Sequence, residues 1–356
     1  GDLFEDRLES SFRKLQKKLP ADRVKVTRDM MFSGFDAFRS VVQSDVDLVI
    51  LGTPPHFRPE HLRACVEAGK HVFMEKPVAV DPAGVRSVIE SGERASRQGL
   101  AIVAGTQRRH QNHYRAVMQR LHDGQIGDLV GGQCYWNQGG LWVREQKQEW
   151  SDMEWQCRNW LYFTWLSGDH IVEQHVHNID VLNWAFGGPP VKALGAGGRE
   201  VRTEEKYGNI YDHFAVEFEY GNGARVLSMC RQISGTSRRV AERIVGTRGV
   251  VDTTGAWGRI RGENPYEYDG ENVNPYVQEH ADLIASIRRN EPLNEAKRVA
   301  ESTMTAILGR MSAYTGRELK YSWALKASQL DLAPPAYQFG DLPVRPVAVP
   351  GKTALV

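Results

Sequence analysis

Residues 51–80 read LGTPPHFRPEHLRACVEAGKHVFMEKPVAV, and their succession of patterns decides the fold. Arg58 to Ala68 has helical spacing and ends at Gly69, a residue suited to the left-handed position after a helix. His71 to Met74 (HVFM) reads as a strand. Just upstream, Asp47 to Leu51 (DLVIL) is the continuous apolar run expected of a parallel strand covered on both faces. The alternation continues outward. Phe4 to Leu19 reads as a charged amphipathic helix, Arg23 to Thr27 as a short strand and Phe35 to Val42 as a helix. Downstream, Asp81-Pro82 is a helix cap followed by proline at the first helical position. That helix should run to about Gln98, and Leu100 to Ala104 reads as the next strand. Strands separated by helices predict an α/β fold with a doubly wound parallel sheet.

After Gly124 the pattern changes. Val130 to Gln138 reads as a strand, Trp142 to Trp165 is rich in tryptophan, and Val176 to Phe186 is helical. Phe214, Val216, Phe218 and Tyr220 then alternate with Ala215, Glu217 and Glu219. Gly221-Asn222-Gly223 is a hairpin turn, and Ala224 to Gln232 returns antiparallel. Helices over about Tyr276–Arg289 and Ala296–Ala313 follow, and from Pro334 the tail should run extended over the surface. Two domains are expected, residues 1–123 and residues 124–356, the second an α+β unit on an open, mostly antiparallel sheet.

The 356 residues suit two cores. A formal net charge of +1 gives no field to hold nucleic acid or an acidic membrane surface. No apolar run is long enough to span a bilayer. Cys65, Cys134, Cys157 and Cys230 form no CxxC pair, so they read as free thiols rather than a zinc knuckle or redox dithiol.

Ligands of doubly wound sheets bind at the carboxyl ends of the strands. Thr53-Pro54-Pro55-His56 and Glu75-Lys76-Pro77 both fall there. In isolation such a lysine is a surface charge before a turn proline. Placed here, its ammonium can donate to a substrate hydroxyl and favour deprotonation, with Pro77 stiffening the turn through a trans or cis bond. A second cluster lies in Gly168 to Trp184, GDHIVEQHVHNIDVLNW, where His177 and Asp180 share a helical face at i and i+3. His170, Glu173 and His177 could ligate a metal, but nothing else in the chain implies one, and no metal is expected. Among the aromatic residues, Arg158, Trp160 and Tyr162 are the candidates for a sugar-stacking wall, the other tryptophans reading as core.

The run from the TP loop through AGKHV to EKP resembles the hallmark of the Gfo/Idh/MocA oxidoreductases. Gly105-Thr106-Gln107-Arg108-Arg109, Gly124-Gln125-Ile126-Gly127, Gly246-Thr247-Arg248-Gly249 and Ser312-Ala313-Tyr314 are similar to later landmarks of that family, so the similarity spans essentially the whole chain. The resemblance implies a Rossmann-like first domain and an NAD cofactor, with NADP as the alternative. It implies hydride transfer between nicotinamide and a carbon of a sugar or polyol. By the same resemblance Thr53, Pro54, His56, Glu75, Lys76, Gln107 and Arg109 line the cofactor cleft. Lys76 polarises the hydroxyl, His177 is the acid–base residue, and Asp180 orients its ring or shares its charge. Two departures stand out: the usual acid four residues before the histidine is Glu173, and the usual glycine two before it is His175.

The family opens with a strand and a GxGxxG turn, which this chain lacks. Gly195-Ala196-Gly197-Gly198 has neither the spacing nor a following helix. Asp2 falls where the family carries its ribose-binding carboxylate, so the chain is expected to begin partway through the cofactor domain and to bind dinucleotide weakly. The resemblance further implies a homodimer or homotetramer through the second sheet and a cytoplasmic setting, with export as the alternative. Two other readings stay open: redox-neutral glycoside cleavage on the same fold, and a sugar-binding relative without turnover. A metal-dependent hydrolase is the outsider.

Overall fold

The computed structural model describes all 356 residues. The first part runs α1 (Glu5–Lys18), α2 (Ala37–Gln43), β1 (Leu48–Leu51), α3 (Arg58–Glu67), β2 (His71–Met74), α4 (Pro82–Arg97), β3 (Ile102–Ala104) and α5 (Asn112–His122). Strands β1, β2 and β3 form a parallel sheet in that order, with Leu51 opposite Met74 and Met74 opposite Ala104. Their carboxyl ends are therefore level, which places the loops after Leu51, Met74 and Ala104 side by side. Asp81 caps α4 by accepting the Gly84 amide at 2.8 Å, as its position before proline predicts.

Two expectations fail here. Residues 23–27 form no strand: they follow a 3-10 turn and are mostly exposed, and no neighbouring strand supplies a ladder. The only pairing nearby is an isolated parallel bridge from Asp2 to Ser33. Strand β1 is not covered on both faces either. It is an edge strand, and Ile50 is 62% exposed. Its apolar composition matched a central strand, but pairing on one side only leaves one face open to water.

The second part runs β4 (Leu129–Gln138), α6 (Asp152–Arg158), α7 (Thr164–Ser167), α8 (His170–Glu173), α9 (Val176–Phe186), β5 (Lys192–Gly198), β6 (His213–Glu219), β7 (Arg225–Gln232), β8 (Arg239–Gly246), β9 (Gly249–Thr253), β10 (Gly258–Gly262), β11 (Tyr266–Glu267), α10 (Pro275–Arg288), α11 (Ala296–Thr315), β12 (Leu319–Lys320) and α12 (Tyr321–Lys326). The nine-stranded sheet has the order β11-β10-β9-β8-β4-β7-β6-β5-β12 and is antiparallel except where β4 meets β7. Phe214, Val216 and Phe218 are buried and their neighbours wetter, as the period-two pattern predicts. Helices α9 and α11 cover one face, and their apolar side chains join the first sheet's in one continuous core. That shared core fixes α9, and with it His177, against the first sheet. The tail beyond Pro334 has no regular structure but is tied down, the Tyr211 hydroxyl donating to the Ala348 carbonyl at 2.9 Å.

Candidate active site

Lys76 sits in the turn after β2, its peptide bond to Pro77 cis. Its Nζ donates to the Glu173 carbonyl at 2.6 Å and to Glu173 Oε1 at 3.1 Å. Glu173 ends α8, four residues before His177 on α9, so the lysine of the first sheet meets the short helix that leads into the histidine helix. Both side chains of the pair are mostly buried. An ammonium has three donors, and two are used here, which leaves one N–H for a substrate oxygen.

His177 is buried on α9, its ring stacked on Trp136 with centroids 5.7 Å apart. Its pKa lies well below the ordinary value, through burial first and then the positive charges of Lys76 and Arg108. The ring is therefore neutral at pH 7, the form a general base requires. His175 occupies the place of the family glycine with φ −74°, ordinary helical backbone, so that exchange brings no strain. Its Nε2 meets the Ser228 hydroxyl at 2.8 Å.

Asp180 does not hold His177. Its carboxylate takes a two-pronged ion pair from Arg109 at 2.8 and 2.9 Å and the Ser302 hydroxyl at 2.7 Å. Burial would raise its pKa, but Arg109 and Arg298 overcome this and bring it down to about 2. Sharing a helical face gave the right neighbourhood, yet the planar fork of Arg109 is the better match for a carboxylate. The proposed metal ligands also diverge: Glu173 faces Lys76, His170 packs on Phe214, and no such group converges on a point.

The loop after β1 lies at the carboxyl end of that strand. His56 Nε2 lies 2.7 Å from the Tyr337 hydroxyl, and burial pushes its pKa down to about 4. Thr53 Oγ1 is 3.4 Å from His61, and Pro54 is extended. Arg58, missed in the sequence, fastens this loop to the lysine turn. Fully buried, it donates to the carbonyls of Leu51, Thr53 and Pro77. Asp2 accepts the Phe4 amide at 2.9 Å, a turn ahead of α1. The aromatic candidates are occupied elsewhere. Arg158 pairs with Glu154 and Asp6, Tyr162 donates to the Trp142 carbonyl, and Trp160 packs against Trp142.

A different polar set extends from Trp136, the residue stacked on His177. Trp136 Nε1 and Gln138 Nε2 on β4, Gln232 Nε2 on β7, His170 Nε2 and Arg202 Nη2 are buried and lack partners. Gln138 and Gln232 are register partners, and Arg202 donates to Gln232 at 2.7 Å. Alternation along β4 was the available signal, since it puts Trp136 and Gln138 on one face. A cleft of about 660 Å³ lies between α3 and α4 and reaches His56.

A parallel sheet with Lys76 at its carboxyl ends is joined to an open sheet that contributes a neutral histidine, a two-part α/β arrangement. The comparisons name the family. Residues 14–104 match the model of the oxidoreductase family's NAD-binding Rossmann fold, and residues 114–252 match the GFO/IDH/MocA C-terminal domain. The chain belongs to the Gfo/Idh/MocA family. It is similar to scyllo-inositol 2-dehydrogenase (NADP(+)) IolW of Bacillus subtilis, 28% identical over 51% of this chain and 45% of that protein. It is also similar to 2,7-anhydro-N-acetylneuraminate hydratase of Escherichia coli, 23% identical over 57% of this chain and 51% of that protein. The chain thus spans about half the length of the curated relatives it matches. Aldose-aldose oxidoreductase from Caulobacter crescentus shares the fold with a TM-score of 0.68 at 17% identity, over 90% of both chains.

Two features test whether these residues suit a nicotinamide cofactor. Gly105 lets the Glu75 carboxylate approach the end of β3 so closely that a Cβ would lie 2.3 Å from Oε2. Gln107 Oε1 is buried without a donor. An acid packed against Gly105 and a free amide oxygen after β3 suit an amide-bearing ring, so the residues fit the nicotinamide end.

Proposed function

We propose that this chain serves an NAD(P)-dependent oxidoreductase acting on a hydroxyl-bearing carbon of a sugar or polyol. When bound, the nicotinamide supplies the hydride acceptor or donor, and Thr53, Glu75 and Gln107 would hold its ring end. Lys76 donates its remaining N–H to the substrate hydroxyl and lowers the cost of deprotonation. His177 takes the proton on a ring nitrogen and returns it in the reverse direction. Arg109 and Asp180 neutralise each other and fix α9. The unpartnered donors of Trp136, Gln138, Gln232 and Arg202 suit a polyhydroxylated substrate, since buried donors without partners are costly until a ligand satisfies them.

The observation that carries this reading is the bond of Lys76 to Glu173 at the end of α8, near enough to His177 for the ammonium's charge to lower the imidazole pKa. The test is reduction of NAD⁺ and NADP⁺, followed at 340 nm, against inositols and aldoses. Lys76→Met and His177→Asn should each lower kcat by about 10²–10⁴-fold with an unchanged circular dichroism spectrum. Turnover surviving in both variants would remove the assignment. The hydratase among the relatives favours a second reading, redox-neutral chemistry on the same site. Substrate consumption with no net change at 340 nm would select it.

The outer face of the nine-stranded sheet supports self-association. Leu194 and Leu227 are exposed and lie in one register row on either side of Glu217. Light scattering should show a dimer or tetramer that Leu227→Glu converts to monomer.

A further inference from the structure

A second cavity, of about 270 Å³, lies under the tail and away from Lys76. Its walls include Met311, Leu330, Leu332, Val347 and Leu355, and most of its lining is hydrophobic. One wall is Arg310 of α11, 1% exposed. Its Nη1 donates to the Gly168 carbonyl at 2.9 Å, the sole hydrogen bond of a group with five N–H donors. No carboxylate reaches it at ion-pair distance. The two nearby acids are spent on other donors: Asp169 accepts from Tyr314, the Tyr211 amide and the His170 amide. Asp81 accepts from the Gly84 and Leu332 amides.

A buried cation with no carboxylate in direct contact is unfavourable, and the planar fork it presents matches a carboxylate in two-pronged geometry. The remaining lining is mostly apolar, with Thr164, Asn209, Thr353 and a second cation, Arg345, at its polar positions, so it suits a ligand that joins a charged end to an apolar body. We propose that this cavity binds a small organic carboxylate, its charged end on Arg310 and its apolar body among Leu330, Leu332, Val347 and Leu355. The volume fits a ligand near the lower end of the small-molecule range.

The experiment uses the full chain with octanoate as probe, and 1-octanol and inorganic phosphate as controls. Octanoate should raise Tm by about 2–4 °C at saturation, and neither control should. Arg310→Lys keeps the charge but loses the fork, and should weaken octanoate binding about tenfold, a typical share for a charge-assisted pair. Val347→Trp, placed on the tail rather than in the core, should fill the cavity and abolish the shift at unchanged starting Tm. An equal shift with octanol would show a merely greasy void, and a shift with phosphate alone would show an anion hole; either overturns the proposal. So would no response to octanoate, or a response that both variants leave intact.

Discussion

At the scale of single residues, the site depends on how His177 is kept neutral and in place. Its ring rests on Trp136, and Trp136 lies 5.6 Å from the guanidinium of Arg108. Arg108 pairs with Glu242, which is buried and also accepts from Asn178, Tyr114 at 2.9 Å and Thr253 at 2.7 Å. Asn178 is the next residue after His177. Glu242 thus positions the imidazole from two directions without touching it. Glu242→Gln keeps the shape but leaves Arg108 without its counter-charge, which should cost about 3 kcal/mol or more in chemical denaturation. It should also lower kcat more than it changes KM, because the loss is in orientation and not in substrate contact. An unchanged kcat in a destabilised variant would make the network purely structural. Lys76 and His177 were legible because EKP and HxxD are local patterns with a fixed place in the fold. Asp180's true partner was not, since Arg109 lies 71 residues away and only the packing of α9 on the first sheet unites them.

At the scale of elements, Arg58 shows how one helix start organises two loops. It opens α3, yet its guanidinium turns back to bind the end of β1, the TPP loop and the lysine turn. Arg58→Met retains the apolar stem but strands three buried carbonyls. A loss of about 3 kcal/mol is expected from charged hydrogen bonds of this kind, together with reduced turnover, because Pro77 and therefore Lys76 lose their tether. Full activity at lowered Tm would separate the tether from the chemistry. Helices and strands with strong local signals were readable from sequence: β2 and α9 begin and end where their patterns do. Residues 23–27 were not, because a strand exists only when a neighbour completes its hydrogen bonds. For the same reason DLVIL gave the element but not its edge position, and Ile50 faces water.

At the scale of the whole molecule, the buried titratable groups set how stability follows pH. Burial lowers the pKa of His56 and His61 to about 4 and of His175 to about 3, and lowers His170 and His177 well below 6.5. Unfolded, each imidazole takes its proton near 6.5. As pH falls from about 6.5 toward 4, the unfolded chain therefore gains protons that the folded chain refuses, and stability is lost. Buried acids act in the opposite sense, Asp81 and Glu301 among them. Burial raises Asp169 to about 6 and Glu279 to about 8, the latter helped by Glu75 and Glu295. These favour the folded state below their unfolded values, and that contribution disappears as pH rises through 6 and through 8. The imidazoles outweigh the raised carboxyls on the acid side, while Glu279 continues to act up to about 8. Tm should accordingly peak near neutral pH, fall steeply toward pH 4.5 and fall gently toward pH 8.5. Differential scanning calorimetry across this range checks the shape. Glu279→Gln should flatten the alkaline limb and steepen the acid limb, where Glu279 had opposed the imidazoles, whereas a Tm that climbs as pH drops from 6.5 to 4.5 would mean that the imidazoles are not held neutral, and with them the base assigned to His177 would be lost.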